Sequence, residues 1–321
     1  MNIFSIYTLK VLRKIYGKCS GLKSLEKPAC EQDPDKAAQF IYDALMSEQP
    51  CMIARFGSTE MACLTNYIGI TQQKNRFLGY IKGESKPWWW ESNIINQMQQ
   101  WSGFFPARAD KIEQFCELML QDIPEVDVLG SWLEDEHLFD QMLQQCKKVN
   151  FELLNPYFSK IPWTKALAGK KVLVVHPFAR TIAQQYKKRE LLFKDDLLPQ
   201  FKLMTVQAVQ SIAGNPTEFS DWFEALDSMK AEIDQHDYDI CLIGCGAYGF
   251  PLAAHVKRKG KKGFQLGGSL QLLFGISGKR WADPNYNSQY NYAQLMNEHW
   301  VKPDDVEKPT GATQVEDACY W

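Results

Sequence analysis

From Lys170 onward the sequence changes its hydrophobic period at regular intervals, and this alternation restricts the fold more than any other feature. "KKVLVVHPF" is a run of apolar, mostly β-branched residues with no polar alternation before His176, so it reads as a strand buried on both faces. "RTIAQQYKKRELLF" follows at helical spacing. "FKLMTVQAV" is a second strand, "DWFEALDSMKAEIDQH" a helix, "YDICLIGCG" a third strand, "PLAAHVKRKGK" a helix and "GFQLGGS" a short fourth strand. Strands that alternate with helices in this way build βαβ units, which predicts an α/β fold with a mostly parallel sheet and helices on both faces.

The first half is read with the same rules. "KAAQFIYDALMSE" places Ala38, Phe40, Ile41, Ala44 and Leu45 on one helical face, with Asp35 as its cap. "CMIARFG" is a short apolar strand ending in a glycine, and "STEMACLTNYI" resumes helical spacing. Residues 72–110 are less regular and hold "KPWWWES" and a helical "NIINQMQQW". "KIEQFCELMLQDI" is an amphipathic helix before the strand "VDVLGSW". The expected organisation is an amphipathic segment and linker over 1–35, one α/β domain over 36–301 with two halves meeting near 168, and a polar, loosely held tail over 302–321.

Composition narrows the partners. A chain of 321 residues that is 45% hydrophobic and 13% aromatic buries a large core, which excludes disorder. Net charge is 36 − 38 = −2, so nucleic acid is not an expected partner. Nine scattered cysteines without a C-x-x-C make neither a zinc pattern nor a disulfide framework, and indicate a reducing cytoplasm. Residues 1–18 carry Ile3, Phe4, Ile6, Leu9, Val11, Leu12 and Ile15 among Lys10, Arg13, Lys14 and Lys18. The apolar run is too broken to span a bilayer. Two readings stay open: a helix lying on the inner face of the cell membrane as a peripheral contact, or an ordinary docking helix with a solvated basic face.

In a parallel sheet, ligands sit beyond the carboxyl ends of the strands. Gly57, Gly130–Ser131, His176–Pro177, Gln207, Gly244–Gly249 and Gly267–Gly268 all fall at such ends and should line one crevice. Gly244, Gly246 and Gly249 spell G-x-G-x-x-G, with Ala247 and Tyr248 between them. Such a loop can bring backbone amides and a helix N-terminus to a phosphate, or it can simply permit a tight turn. An NAD(P)-binding oxidoreductase would also need a carboxylate at the end of the next strand, where this chain reads "FQLGGS".

Three segments, "IARFGSTEM", "VLVVHPFARTIAQQYKKRELLF" and "LIGCGAYGFPLAAHVKRKGKKGFQLGGSLQLLFGISGKRW", together resemble the GT-D-fold glycosyltransferases of bacterial surface-polysaccharide synthesis. The resemblance implies a Rossmann-like, GT-D-like core. It implies transfer from a nucleotide-diphosphate sugar, with a UDP-sugar favoured, to a glycan or lipid-linked acceptor. In that family an R-F-G-D-G-E-like segment supplies an Asp-x-Glu credited with holding a divalent metal and the donor diphosphate. Arg55, Phe56, Gly57 and Glu60 match it, and Ser58 stands where the Asp would be. A hydroxyl is a poor substitute for a carboxylate on Mg²⁺ or Mn²⁺, so Glu60 is left as the one metal candidate and metal-independent action becomes plausible. Arg55, Lys279 and Arg280 would then carry more of the diphosphate, with Gly244–Gly249, Gly267 and Gly268 forming the donor wall. Arg55 could equally be spent on an ion pair with Glu60 or another carboxylate. Candidate bases are Glu60, Glu136 in "WLEDEHL", and His176. Trp88–Trp90 and Trp101 could form a stacking platform for sugar rings, with Trp89 and Trp90 the candidates for holding an acceptor. A non-catalytic scaffold of polysaccharide assembly is the further alternative that Ser58 raises.

Overall fold

The computed structural model describes residues 2–22, 26–312 and 320–321. Seven strands form one sheet: β1 Cys51–Ala54, β2 Val128–Ser131, β3 Lys147–Asn150, β4 Lys171–His176, β5 Lys202–Gln207, β6 Ile240–Ile243 and β7 Lys262–Gln265. Their order is β3-β2-β1-β7-β6-β4-β5, and every neighbouring pair is parallel.

The continuous apolar runs are explained by burial on two sides. Because side chains alternate along a strand, Leu173, Val175, Cys241 and Ile243 face one core, shared with helices Ser58–Gln72, Ala109–Asp122, Trp222–Asp234 and Gly249–Arg258. Val172, Val174, Ile240 and Leu242 face a second core, shared with helices Pro34–Met46 and Ala179–Tyr186. Cys241 and Cys245 are buried thiols, as expected.

Several local expectations change. The cap of helix Pro34–Met46 is Asp33, whose carboxylate accepts from the amides of Asp35 (2.9 Å) and Lys36 (3.1 Å). Pro34 is pre-set for the first helical position, which moves the start two residues earlier, from Lys36 to Pro34. Asp35 instead accepts from the Lys160 amide at 2.7 Å. "RTIAQQYKKRELLF" breaks into Ala179–Tyr186 and Arg189–Leu192. The linker is tied to the sheet: Glu31 forms a parallel bridge with Val149 on the outer edge of β3. Residues 23–25 and 313–319, within the expected linker and tail, lie outside the described residues.

The tail is not loose where it is described. Glu307 is buried and accepts from the amides of Arg180 (2.7 Å) and Thr181 (3.2 Å) and from the Thr181 hydroxyl. A carboxylate there satisfies amides that the first turn of helix Ala179–Tyr186 leaves without intrahelical partners. Tyr320 and Trp321 reach the carboxyl edge of the sheet.

Candidate functional site

The strand ends converge on one crevice of about 440 Å³. β1 contributes Arg55 and Gly57–Glu60, β2 Trp132, β4 His176–Phe178, β5 Val209–Ile212, β6 Gly244–Tyr248, and β7 Gln265, Gly267 and Gly268. β7 lies between β1 and β6, so the "ARFGSTE" segment and the two glycine-bearing loops meet across it.

Arg55 is held from several directions. Its amide donates to Gln265 Oε1 at 2.8 Å. Its guanidinium lies 5.3 Å from the centre of the Phe151 ring, and that ring stacks on Trp132 at 5.1 Å. Trp132 is fixed in turn by donating from Nε1 to the Phe56 carbonyl at 3.0 Å. Gly267 has φ +69°, and a Cβ there would fall 2.3 Å from Arg55 Nη2, so only glycine admits the guanidinium at this place. Arg55 Nε is buried with no hydrogen-bond partner among the described residues. A buried donor left unmatched costs free energy unless a ligand or water meets it. Among the described residues no ion pair joins Arg55 to Glu60; the carboxylate on which its charge acts is Glu152, which is itself held by Tyr292 and Asn287. Arg280 also lines the crevice, 5.2 Å from the Tyr320 ring centre.

Glu60 sits in the first turn of helix Ser58–Gln72, with its carboxylate folded over Gly57. A Cβ on Gly57 would lie 1.9 Å from Glu60 Oε2. Among the described residues Glu60 is the single carboxylate lining the crevice. Ser58 is exposed beside it. Among the described residues no group of three His, Cys, Asp or Glu gathers anywhere. One carboxylate and one hydroxyl do not supply the hard anionic oxygens of a protein-built Mg²⁺ or Mn²⁺ site, so the donor set of the described residues does not fit the metal that the resemblance implies.

His176 lines the crevice but is not a base. It is buried, and its Nδ1 accepts from the Phe178 amide at 2.9 Å. The proton of the neutral ring therefore lies on Nε2, which can donate and not accept. Burial lowers its pKa to about 3, so the ring is neutral at physiological pH.

The glycine loop is explained largely by close packing. A Cβ on Gly244 would meet the Gly267 carbonyl at 2.6 Å and His176 Cδ2 at 2.8 Å, and one on Gly249 would meet Gln265 Cγ at 2.8 Å. Gly249 does not line the crevice, whereas Gly244, Gly246 and Ala247 do. Tyr248 is buried, stacked on Trp222 at 4.9 Å, with its hydroxyl 3.1 Å from Ser211 Oγ. At the end of β7, where a dinucleotide site would carry an acid, stands Gln265, engaged with the Arg55 amide.

Other expected site residues are elsewhere. Phe56 points into the core, stacked on Phe250 at 5.1 Å. Glu136 is fully buried; it accepts from the amides of Trp132 (2.9 Å) and Leu133 (3.0 Å) and from the Ser131 hydroxyl, which occupies its oxygens in closing its own turn. It is not available as a catalytic base. Trp89 is buried against Tyr80 and donates to Glu91 at 3.0 Å, and Trp90 stacks near Tyr67 and donates to Glu113 at 3.1 Å. Neither reaches the crevice, so neither stacks an acceptor there. Lys279 starts the short helix Lys279–Ala282 and does not line the crevice.

Aromatic rings line it on several sides, among them Trp101, Trp132, Phe151, Tyr286, Tyr320 and Trp321 as well as Phe178, Tyr248 and Phe250. Trp101 and Tyr248 are among the candidates that the sequence offers, whereas Trp132, Phe151, Tyr286, Tyr320 and Trp321 are not. Trp132 had a usable signal, since it follows the strand end Gly130–Ser131. Tyr320 and Trp321 had none, because only tertiary folding returns them to the sheet.

An all-parallel sheet with one crevice at its carboxyl edge, lined by a partly buried arginine, is the arrangement of Rossmann-like α/β proteins. Within that class the family model for the GT-D fold-like domain matches residues 32–273, and the chain belongs to this GT-D-like family. Its function is accordingly related to glycosyl transfer. No curated protein and no solved structure matches the chain significantly.

Proposed function

We propose that the chain is a glycosyltransferase that moves a sugar from a nucleotide-diphosphate donor, favouring a UDP-sugar, to a surface-glycan or lipid-linked acceptor. The observation that carries this reading is Arg55, fixed by Gln265 and Phe151 at the meeting of the β1 and β7 loops, with a buried Nε–H unmatched. A guanidinium so placed is suited to a diphosphate. Phe151 and Trp132 beside it offer ring faces to a base or sugar.

In the reaction the acceptor oxygen attacks the anomeric carbon, and the bond from that carbon to the diphosphate oxygen breaks. The electron pair leaves with the diphosphate, where Arg55 and Arg280 stabilise the growing negative charge. For an inverting transfer Glu60 takes the acceptor proton, being the carboxylate that faces the crevice. His176 Nε2–H supplies a neutral donor. The mechanism needs no protein-held metal.

The test is calorimetry and turnover with a panel of UDP-, GDP- and CMP-sugars. Arg55→Ala is expected to weaken donor binding by about 10- to 100-fold, the loss of a hydrogen-bonded charge contact. Glu60→Gln is expected to lower kcat with little change in donor affinity, and turnover should persist in EDTA. Folded protein that binds none of these donors would overturn the reading and favour the scaffold alternative. Turnover abolished by EDTA would overturn the metal-free part.

A further inference from the structure

We infer that the N-terminal helix Ile3–Ser20 is a docking surface for an anionic lipid bilayer, lying in the interface rather than crossing it. The helix has two faces. Its inner face, with Leu9 buried and Ile6 partly so, rests on Tyr80, Ile81, Trp88 and Trp89. Arg13 secures it by donating to the Tyr80 carbonyl at 2.7 Å, and Lys10 pairs with Glu91. Docking therefore accounts for one side of the helix and leaves the other unexplained.

That other side is apolar and open. Phe4 is 81% exposed, Tyr7 66%, and Val11 and Ile15 54% each. Their spacing of three, four and four residues aligns them in one stripe. Lys10, Lys14 and Lys18, four apart, run beside it. The helix against which it rests adds exposed Phe77 and Leu78. Exposed apolar residues scattered singly need no explanation, but an aligned stripe on one helix does.

Charge selects the occupant. Residues 2–22 hold four basic and no acidic residues, and the whole chain is −2, so the remainder carries −2 − 4 = −6. An apolar stripe edged by lysines on an otherwise acidic protein is complementary to acyl chains beneath anionic headgroups. A second copy of the chain would bring lysines against lysines. Among the described residues no helix is long and apolar enough to cross a membrane. The inference stands independently of the reaction proposed above.

The experiment is co-sedimentation of the full chain with vesicles of phosphatidylcholine alone or with about 30% phosphatidylglycerol, a fraction chosen to give a clearly negative surface potential. Binding is expected only with the anionic lipid, weakening as salt rises. The variant Phe4→Ser/Val11→Ser/Ile15→Ser changes exposed positions and should fold normally, yet lose at least about tenfold in binding from the lost apolar insertion. Lys14→Glu/Lys18→Glu should lose a similar factor at low salt only. Absence of binding to anionic vesicles, or unchanged binding by both variants, would overturn the proposal. So would a concentration-dependent dimer that the serine variant abolishes, since that would assign the stripe to a second copy.

Discussion

His176 shows how one side chain can be fixed in protonation state by its surroundings. The ring is buried, its Nδ1 is committed to the Phe178 amide, and its pKa is lowered from 6.5 to about 3. The unfolded chain takes up a proton near pH 6.5, while the folded chain does so only near 3. The group therefore favours the folded state fully above pH 6.5, and that contribution is lost as pH falls through the window to 3, at about 1.4 kcal/mol per pH unit. Urea unfolding at pH 7 and pH 4 is expected to show a smaller loss of stability in His176→Asn than in the native chain, because Asn retains an acceptor for the Phe178 amide and cannot be protonated. Equal losses would show that His176 does not carry this acid sensitivity. The same scale explains two misreadings. "LEDEH" looked like a catalytic acidic run, but Glu136 is consumed by local backbone amides. His176 at a strand end looked like a base, and the tautomer set by one backbone contact makes it a donor.

At the scale of elements, legibility followed burial. β4 and β6 could be read because both faces are covered, which forces an unbroken apolar run. β3 could not. It has four residues at the sheet edge with only Val149 buried, so its sequence "KKVN" carries no hydrophobic pattern and its backbone pairing alone defines it. The tail was misread for a related reason: polarity was taken for looseness, whereas Glu307 is polar because it serves the amides of Arg180 and Thr181. Replacing it tests this directly. Glu307→Ala strands those amides and is expected to cost about 0.5–2 kcal/mol, as loss of a helix N-cap does. It should also make the chain beyond Lys302 more readily cut by protease. An unchanged melting temperature and cleavage rate would show that the tail is not anchored by this contact. "KPWWWES" was ambiguous in principle, since consecutive tryptophans must point apart. Trp89 and Trp90 went to the core and to helix contacts, while Trp101 and Trp132 faced the crevice.

For the molecule as a whole, the alternation of strands and helices indicated the layers, and the glycines and "ARFGSTE" indicated which edge would carry the site. The strand order was beyond reach, because short β1 and β7 are separated by more than 200 residues and nothing local to either says that they pair. That order has a consequence for how the protein is made. Within the sheet, the strands of the block β3-β2-β1 and those of the block β6-β4-β5 are joined only through β7, the last of the seven to be synthesised. Until Lys262–Gln265 emerges, β1 and β6 are two open edges with no partner between them, a state prone to edge-to-edge association. Arg55 meanwhile lacks both Gln265 and Gly267, so the crevice and the sheet are completed by the same late event. A chain stopped at Arg258 is expected to aggregate on refolding under conditions in which the full chain recovers, and light scattering during dilution from urea measures this. Clear refolding of that fragment would mean that the two blocks are independent folding units. Biosynthesis thus places Arg55 under the control of the last of these strands: its surroundings are assembled only when β7 joins the two blocks.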